Sequence, residues 1–146
     1  MRPKDILLVE DNSDDIELTV MALKEAKITN PVVVARNGVE ALDYLWGTNA
    51  HAGRDAADQP VVVLLDIKLP KLNGIDVLKS MRQDERTRRT PVVMLTSSTE
   101  QADIGRTYDL GANSYVRKPV EFEGFVAAAR QLGLYWTVLN ERPQPD

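Results

Sequence analysis

The stretch at residues 6–11 reads ILLVED, four apolar residues followed at once by two acids. An apolar run without alternation is typical of a strand that is covered on both faces, as in a parallel sheet. Parallel sheets bind ligands beyond the carboxyl ends of their strands, where this acid pair falls. The stretch therefore predicts a buried parallel strand with a polar site at its end.

Further short apolar runs follow, separated by longer amphipathic segments. The runs lie at residues 32–34, 61–65, 92–95 and 114–116. Regular alternation of strand and helix signals predicts βα units and a parallel sheet with helices on both faces. Because crossovers are right-handed, we expect a doubly wound, five-stranded α/β sheet of order 2-1-3-4-5, the flavodoxin-like order.

Five segments carry apolar residues at helical spacing. Their stripes begin at Ile16, Ala41, Ile75, Ile104 and Phe122. The first stripe continues through Val20, Leu23 and Lys27, behind acceptable caps at Asn12 and Ser13. Asn37–Gly38 and Asn73–Gly74 open the second and third helices, and Gly47 ends the second. The small and polar residues 49–60 predict a long surface loop before the third strand.

Length and composition favour a small intracellular domain. The chain has 146 residues, which fits one domain, and no cysteine, which excludes disulfides and thiolate metal sites. Its net charge of -4 argues against a nucleic-acid partner, and the basic residues 86–89 are interpreted as a solvated helix end. No apolar run approaches the ~20 residues of a membrane span. We expect one cytoplasmic domain over residues 1–146, with no membrane partner.

Polar residues end four of the five predicted strands. Glu10 and Asp11 follow the first strand, Asp66 the third, Thr96 ends the fourth and Lys118 follows the fifth. Three neighbouring carboxylates repel one another, and a hard divalent cation with oxygen ligands relieves that repulsion. The sequence therefore predicts a Mg²⁺ site. Zinc is a poor candidate because the single histidine, His51, lies in the long loop.

An ionised carboxylate can act as a nucleophile toward a phosphoryl group. Asp66, at the end of a buried strand, is the predicted acceptor, and the Lys118 ammonium and Thr96 hydroxyl are predicted to contact the phosphoryl oxygens. Each residue also has an ordinary structural interpretation. The acids and Thr96 could cap helices, and Lys118–Pro119 could form a turn. Their joint placement around one cleft favours the chemical interpretation.

These motifs resemble the receiver domains of two-component response regulators over residues 4 to about 130. The resemblance is carried by LVEDN at 8–12, LD at 65–66, LP at 69–70, NG at 73–74, LTS at 95–97 and YVRKP at 115–119. It implies that Asp66 is phosphorylated and that Glu10, Asp11 and the Lys68 carbonyl complete the metal site. Thr96 and Lys118 match the phosphate-sensing hydroxyl and the phosphate-binding lysine.

The resemblance also implies a switch and partners. Tyr115 matches the aromatic switch residue, which turns inward when Thr96 moves toward the phosphate; a half-buried strand tyrosine is the simpler interpretation. The extended segment before the third strand and the aromatic C-terminal end resemble stand-alone regulators associated with bacterial phytochromes. This implies a sensor histidine kinase as donor, a bacterial phytochrome in particular. From about residue 120 we expect a long helix and tail, which carry Tyr135 and Trp136. These aromatic residues either form a homodimer contact or fold back on the domain, and the resemblance favours the homodimer.

Other functions fit the sequence less well. A phosphatase that forms an aspartyl phosphate usually needs a second acid near the nucleophile, whereas Asp66 is followed by Ile67 and Lys68. A flavin carrier needs a phosphate-binding loop after the first strand, where Glu10 and Asp11 repel phosphate. A degenerate scaffold is disfavoured by the complete set of site residues. The prediction is a phosphoacceptor switch, not an enzyme with a separate substrate.

Overall fold

The computed structural model describes residues 4–96, 105, 109–112, 114–117, 126–127 and 130; at residues 50, 96 and 114–117 it describes the backbone alone. The strands are β1 (Ile6–Val9), β2 (Val32–Ala35), β3 (Val62–Leu65), β4 (Val92–Thr96) and β5 (Ser114–Arg117). They form one parallel sheet of order β2-β1-β3-β4-β5, which confirms the predicted order. β4 extends one residue further than the apolar run and includes Thr96.

The helices are α1 (Ser13–Glu25), α2 (Gly38–Trp46) and α3 (Gly74–Gln83), with a 3₁₀ helix at Asn49–His51. An asparagine caps each α-helix by accepting a backbone N–H at its side-chain oxygen. Asn12 accepts from Asp15 at 3.0 Å, Asn37 from Glu40 at 2.8 Å and Asn73 from Asp76 at 2.9 Å. The predicted fourth and fifth helices lie mostly outside the described residues; residues 105, 109, 126, 127 and 130 are helical.

The predicted stripe of α1 was wrong at its end. The helix stops at Glu25, and Lys27 is exposed in a left-handed conformation with φ 64°. The Ile28 N–H then donates to the Leu23 carbonyl at 3.0 Å, so the chain turns back and places Ile28 against the core. Lys27 therefore serves the helix end and not its apolar face.

The sheet is apolar on both faces, as the uninterrupted runs predict. In β1, Leu7 and Val9 face the cluster formed with α2 and α3, whereas Ile6 and Leu8 face the cluster formed with α1. All four side chains are at most 1% exposed. Burying an aliphatic side chain contributes roughly 1.5–3 kcal/mol, so β1 is fixed firmly beneath the residues that follow it.

The segment before β3 is not only a surface loop. The Arg54 guanidinium lies 3.9 Å from the centre of the Tyr44 ring in α2 and donates to the Tyr44 carbonyl at 2.8 Å. The Gln59 side-chain amide donates to the Leu45 carbonyl at 3.1 Å. These contacts dock the segment on α2, a packing that its polar composition did not indicate.

The three arginines of the turn after α3 (Arg86, Arg88 and Arg89) are exposed, as the basic sequence suggested, although they follow the helix and do not form its end. Arg86 donates to both carboxylate oxygens of Asp84, at 3.0 and 2.9 Å. Side-chain hydrogen bonding to Arg86 is the main reason why the pKa of Asp84 is lowered. In the described part of the chain, no helix has the length and apolar character of a membrane span.

Candidate metal and phosphoacceptor site

Three carboxylates meet at the carboxyl edge of the sheet. Glu10, Asp11 and Asp66 each place one carboxylate oxygen within 4.8 Å of the other two. Glu10 is 3% exposed and Asp66 7% exposed, whereas Asp11 is exposed. Two buried acids and one solvent-facing acid thus form a cluster that opens to the surface.

The sheet itself sets the positions of the two buried acids. The Asp66 N–H donates to the Val9 carbonyl at 3.1 Å, and the Glu10 N–H donates to the Ala35 carbonyl at 3.0 Å. These bonds extend the β1–β3 and β1–β2 ladders by one residue beyond the strands. Backbone pairing therefore fixes the positions of Glu10 and Asp66 at the ends of their strands.

Residues next to the acids fix their side chains. The Lys68 N–H donates to Asp66 Oδ1 at 3.3 Å, and the Asn12 N–H donates to Glu10 Oε1 at 3.2 Å. The Lys68 side chain is exposed. These N–H groups orient the two carboxylates, whose oxygens are the atoms that a nucleophile or a metal ligand presents.

Gly74 lies directly behind the Asp66 backbone. Its N–H donates to the Ile67 carbonyl at 2.7 Å, and a Cβ at this position would lie 2.0 Å from the Asp66 carbonyl oxygen. Only glycine lets α3 begin this close to Asp66. In the sequence, Asn73–Gly74 indicated a helix start and matched a receiver-domain motif, but neither observation indicated that Gly74 lies against Asp66.

Arg36 is a second neighbour of the site that the sequence patterns did not single out. Its guanidinium donates to the Asp11 carbonyl at 3.4 Å and to the Ser13 hydroxyl at 3.3 Å. The backbone N–H of Arg36 donates to the Glu40 carboxylate. It thereby joins the end of β2 to the loop that carries Asp11. Its position after the apolar run of β2 was the available signal.

The chemistry of the donor set suits a hard divalent cation. All three side chains offer oxygen, and their mutual repulsion is relieved by a cation such as Mg²⁺. His51 does not join them: it lies edge-on to the Tyr44 ring at 5.3 Å, with its Nε2 3.9 Å from Glu40. The predicted acids are therefore brought together, and the expected preference for Mg²⁺ over zinc agrees with these ligands.

The other predicted residues are placed only in part. Thr96 ends β4 and pairs in register with Arg117, and Tyr115 pairs with Met94. β5 thus runs toward the same edge of the sheet as the acids, and Lys118 is the next residue in the chain. Lys118 itself lies outside the described residues, as do Tyr135 and Trp136.

Comparison with known proteins agrees with this geometry. Residues 6–130 match the family model of the response regulator receiver domain. The chain is 31% identical to response regulator Rcp1 of Synechocystis over 92% of this chain and 89% of that protein.

Solved structures extend the likeness to nearly the whole chain. The bacteriophytochrome response regulator RtBRR is 52% identical, with a TM-score of 0.80 over 97% of this chain and 84% of that one. The phosphorylated cyanobacterial phytochrome response regulator RcpA is 34% identical, with a TM-score of 0.83 over 99% of both chains. Rcp1 in its Mn²⁺-bound form has a TM-score of 0.82 at 30% identity, over 99% of this chain and 100% of that one. Two of these structures are named as phytochrome response regulators, one of them phosphorylated, and the Rcp1 structure holds Mn²⁺.

Proposed function

Because the chain belongs to the response regulator receiver family, we propose that it accepts a phosphoryl group on Asp66 from a sensor histidine kinase and signals through protein contacts. The observation that carries this proposal is the convergence of Glu10, Asp11 and Asp66 at one edge of the sheet. Receiver domains are phosphoacceptor switches, and this chain retains the acids that such a switch uses.

The transfer requires one nucleophile and one leaving group. A carboxylate oxygen of Asp66 forms the new P–O bond, the P–N bond of the phosphohistidine donor breaks, and its electron pair returns to the imidazole nitrogen. Asp66 is suited to this role because two strands and the Gly74 contact fix its backbone. Fixed orientation lowers the entropic part of the barrier.

Glu10, Asp11, Asp66 and the Lys68 carbonyl are proposed to hold Mg²⁺. When bound, Mg²⁺ neutralises negative charge on the transferring phosphoryl group. The Lys118 ammonium is proposed to contact another phosphoryl oxygen, and the Thr96 hydroxyl a third. Thr96 belongs to the strand next to β3, and Lys118 follows the strand beyond it.

The output is proposed to be a shift between two packings. Thr96 moves toward the phosphoryl group, and Tyr115 turns toward the space that Thr96 leaves. The two residues lie on neighbouring strands, which supports their coupling. In line with the phytochrome response regulators among its relatives, we assign a bacterial phytochrome as the donor kinase. We assign the protein to the cytoplasm, as a single domain spanning residues 1–146. We expect this domain to form a homodimer through Tyr135 and Trp136.

The proposal is tested by locating the phosphoryl group. The protein is incubated with an autophosphorylated bacterial phytochrome or with acetyl phosphate and Mg²⁺, and peptide mass spectrometry then finds the modified residue. We expect one alkali-labile, hydroxylamine-labile phosphoryl group on the peptide that contains Asp66. Modification of another peptide, or none in folded protein with Mg²⁺, overturns the proposal. Size exclusion before and after labelling tests the homodimer separately.

A further inference from the structure

The guanidinium of Arg82, near the end of α3, binds two loops at once. It donates to the carbonyls of Thr87, Arg88 and Thr90 in the turn after α3, at 3.3, 3.2 and 2.7 Å. It also donates twice to the Gly111 carbonyl in the loop before β5, from Nε at 3.2 Å and from Nη2 at 2.8 Å. Four carbonyls from two loops thus share one side chain.

The contact with Gly111 is specific in shape. Gly111 has φ 94°, and a Cβ there would lie 2.9 Å from Arg82 Nε. A larger residue would therefore meet both backbone strain and the guanidinium. Partial burial lowers the pKa of Arg82, but an arginine remains charged, so each of these bonds has an ionised donor. Arg82 and Gly111 form a fitted pair.

The anchored loop leads directly into β5. β5 stands at the end of the sheet and, among the described residues, pairs only with β4. An edge strand is held by one ladder, so its position depends more strongly on the loop at its start. Leu110 and Ala112, on either side of Gly111, pack against the core. The hydrogen bonds from Arg82 to the Gly111 carbonyl fix the loop between these two residues.

The two ends of α3 lie at opposite edges of the sheet, and only its start lies at the phosphoacceptor site. Gly74 lies against the Asp66 backbone at one end, and Arg82 holds the loop before β5 at the other. We propose that Arg82 is a positioning residue for phosphoryl transfer, because it fixes the start of β5 through Gly111 and so sets the position of this strand, which precedes Lys118 in the chain, relative to Asp66. This inference rests on the function proposed for Asp66 and Lys118.

The test compares Arg82→Gln with Thr87→Val. Thr87 lies in the same turn, is fully buried and donates from its hydroxyl to the Met81 carbonyl at 2.7 Å, but its side chain makes no bond to Gly111. Thr87→Val therefore weakens the same region without releasing β5. Both variants, the parent and Arg82→Lys are studied well below their unfolding midpoints.

Two quantities are measured: the rate of labelling by acetyl phosphate at saturating Mg²⁺, and the Kd for Mn²⁺. A misplacement of about 1 Å can slow a reaction by about 100-fold, and we expect Arg82→Gln to slow labelling by at least about tenfold. Its Kd for Mn²⁺ should stay within about twofold of the parent because the three acids directly follow β1 and β3, which Arg82 does not contact through Gly111. Arg82→Lys should be intermediate, and Thr87→Val should label like the parent.

Equal rates for Arg82→Gln and the parent overturn the inference, as does a loss of Mn²⁺ affinity that parallels the loss of rate. If the parent itself is not labelled, the proposed function fails. Amide hydrogen exchange at Ser114–Arg117 then tests separately whether the contact between Arg82 and Gly111, the anchor of β5, holds this strand. Faster exchange there in Arg82→Gln than in Thr87→Val supports the anchor, and equal exchange overturns it. The two failures are thus distinguishable.

Discussion

Replacing Gly74 by Ala should disturb the phosphoacceptor from behind. The new Cβ would lie 2.0 Å from the Asp66 carbonyl oxygen and 2.9 Å from the Ile67 Cα. Ordinary contact begins at 3.4 Å, so the start of α3 and the end of β3 must separate by about 1.4 Å. Neither side can yield by rotating a side chain, because both are backbone.

The magnitude follows from this displacement. Overpacking of this kind costs about 1–3 kcal/mol of unfolding free energy, and we expect the upper part of that range. A displacement near 1 Å can slow a positioned reaction by about 100-fold, so we expect labelling of Asp66 to fall by at least about tenfold. The 2.7 Å bond from the Gly74 N–H to Ile67 should lengthen as well.

Two other glycines serve as controls. Gly38→Ala places a Cβ 2.0 Å from the Leu72 carbonyl oxygen, an equal clash that does not touch Asp66. Gly105→Ala meets nothing within 4 Å at an exposed helical position and should raise stability by roughly 0.5–1 kcal/mol.

Urea unfolding gives the stability of each variant, and acetyl phosphate with Mg²⁺ gives its labelling rate. Gly38→Ala should lose about as much stability as Gly74→Ala but should be labelled faster than Gly74→Ala. Gly105→Ala should be labelled at the rate of the parent. The reasoning is refuted if Gly74→Ala keeps the stability of the parent. It is refuted equally if both clashing variants lose the same fraction of the labelling rate.

Three further changes test other parts of the account. Asp11→Asn should weaken Mn²⁺ binding by about tenfold or more, measured by calorimetry, whereas the same change at the exposed Asp14 should alter it little; equal effects contradict the ligand assignment. Tyr44→Phe removes a 2.8 Å bond to Asp5 and should cost about 1.5 kcal/mol in urea unfolding. Burial is the largest cause that raises the pKa of Tyr44 to about 12, and the hydrogen bond to Asp5 is the next. The parent should therefore lose the stability that the protonated Tyr44 contributes as pH rises from about 10 to 12, whereas the variant has no such group to titrate. Gly47→Ala adds a Cβ to a residue at φ 68°, 2.2 Å from a backbone oxygen of the docked loop, and should cost about 1–3 kcal/mol; an unchanged urea midpoint contradicts that docking.

The sheet could be predicted from sequence because both of its faces are buried. An uninterrupted apolar run as short as residues 61–65 is typical of a strand covered on both sides, and asparagine caps marked the three helix starts. Helix ends were harder to predict. Lys27 fits a helical spacing by position, but the left-handed turn that ends α1 is set by tertiary packing of Ile28.

The acids of the site could also be predicted, since parallel strands deliver their carboxyl ends to one edge. Contacts between segments far apart in the chain could not. Arg82 and Gly111 are 29 residues apart, and nothing in either local pattern indicates that they meet. The contact of Arg54 with Tyr44 and the space that Gly74 leaves for Asp66 join residues nearer in the chain, but they too depend on packing that local sequence does not encode.

Incorporation of labelled phosphate shows whether Asp66 accepts a phosphoryl group with the help of a metal ion. The parent, Asp66→Asn and the control Asp76→Asn are incubated with labelled acetyl phosphate, with Mg²⁺ or with a chelator. Asp76 lies in the first turn of α3 and is not among the three clustered acids, so its variant makes the same charge change outside the site. We expect labelling of the parent and of Asp76→Asn with Mg²⁺ only, and no labelling of Asp66→Asn. Equal labelling of folded Asp66→Asn, or labelling that does not depend on the metal, contradicts it.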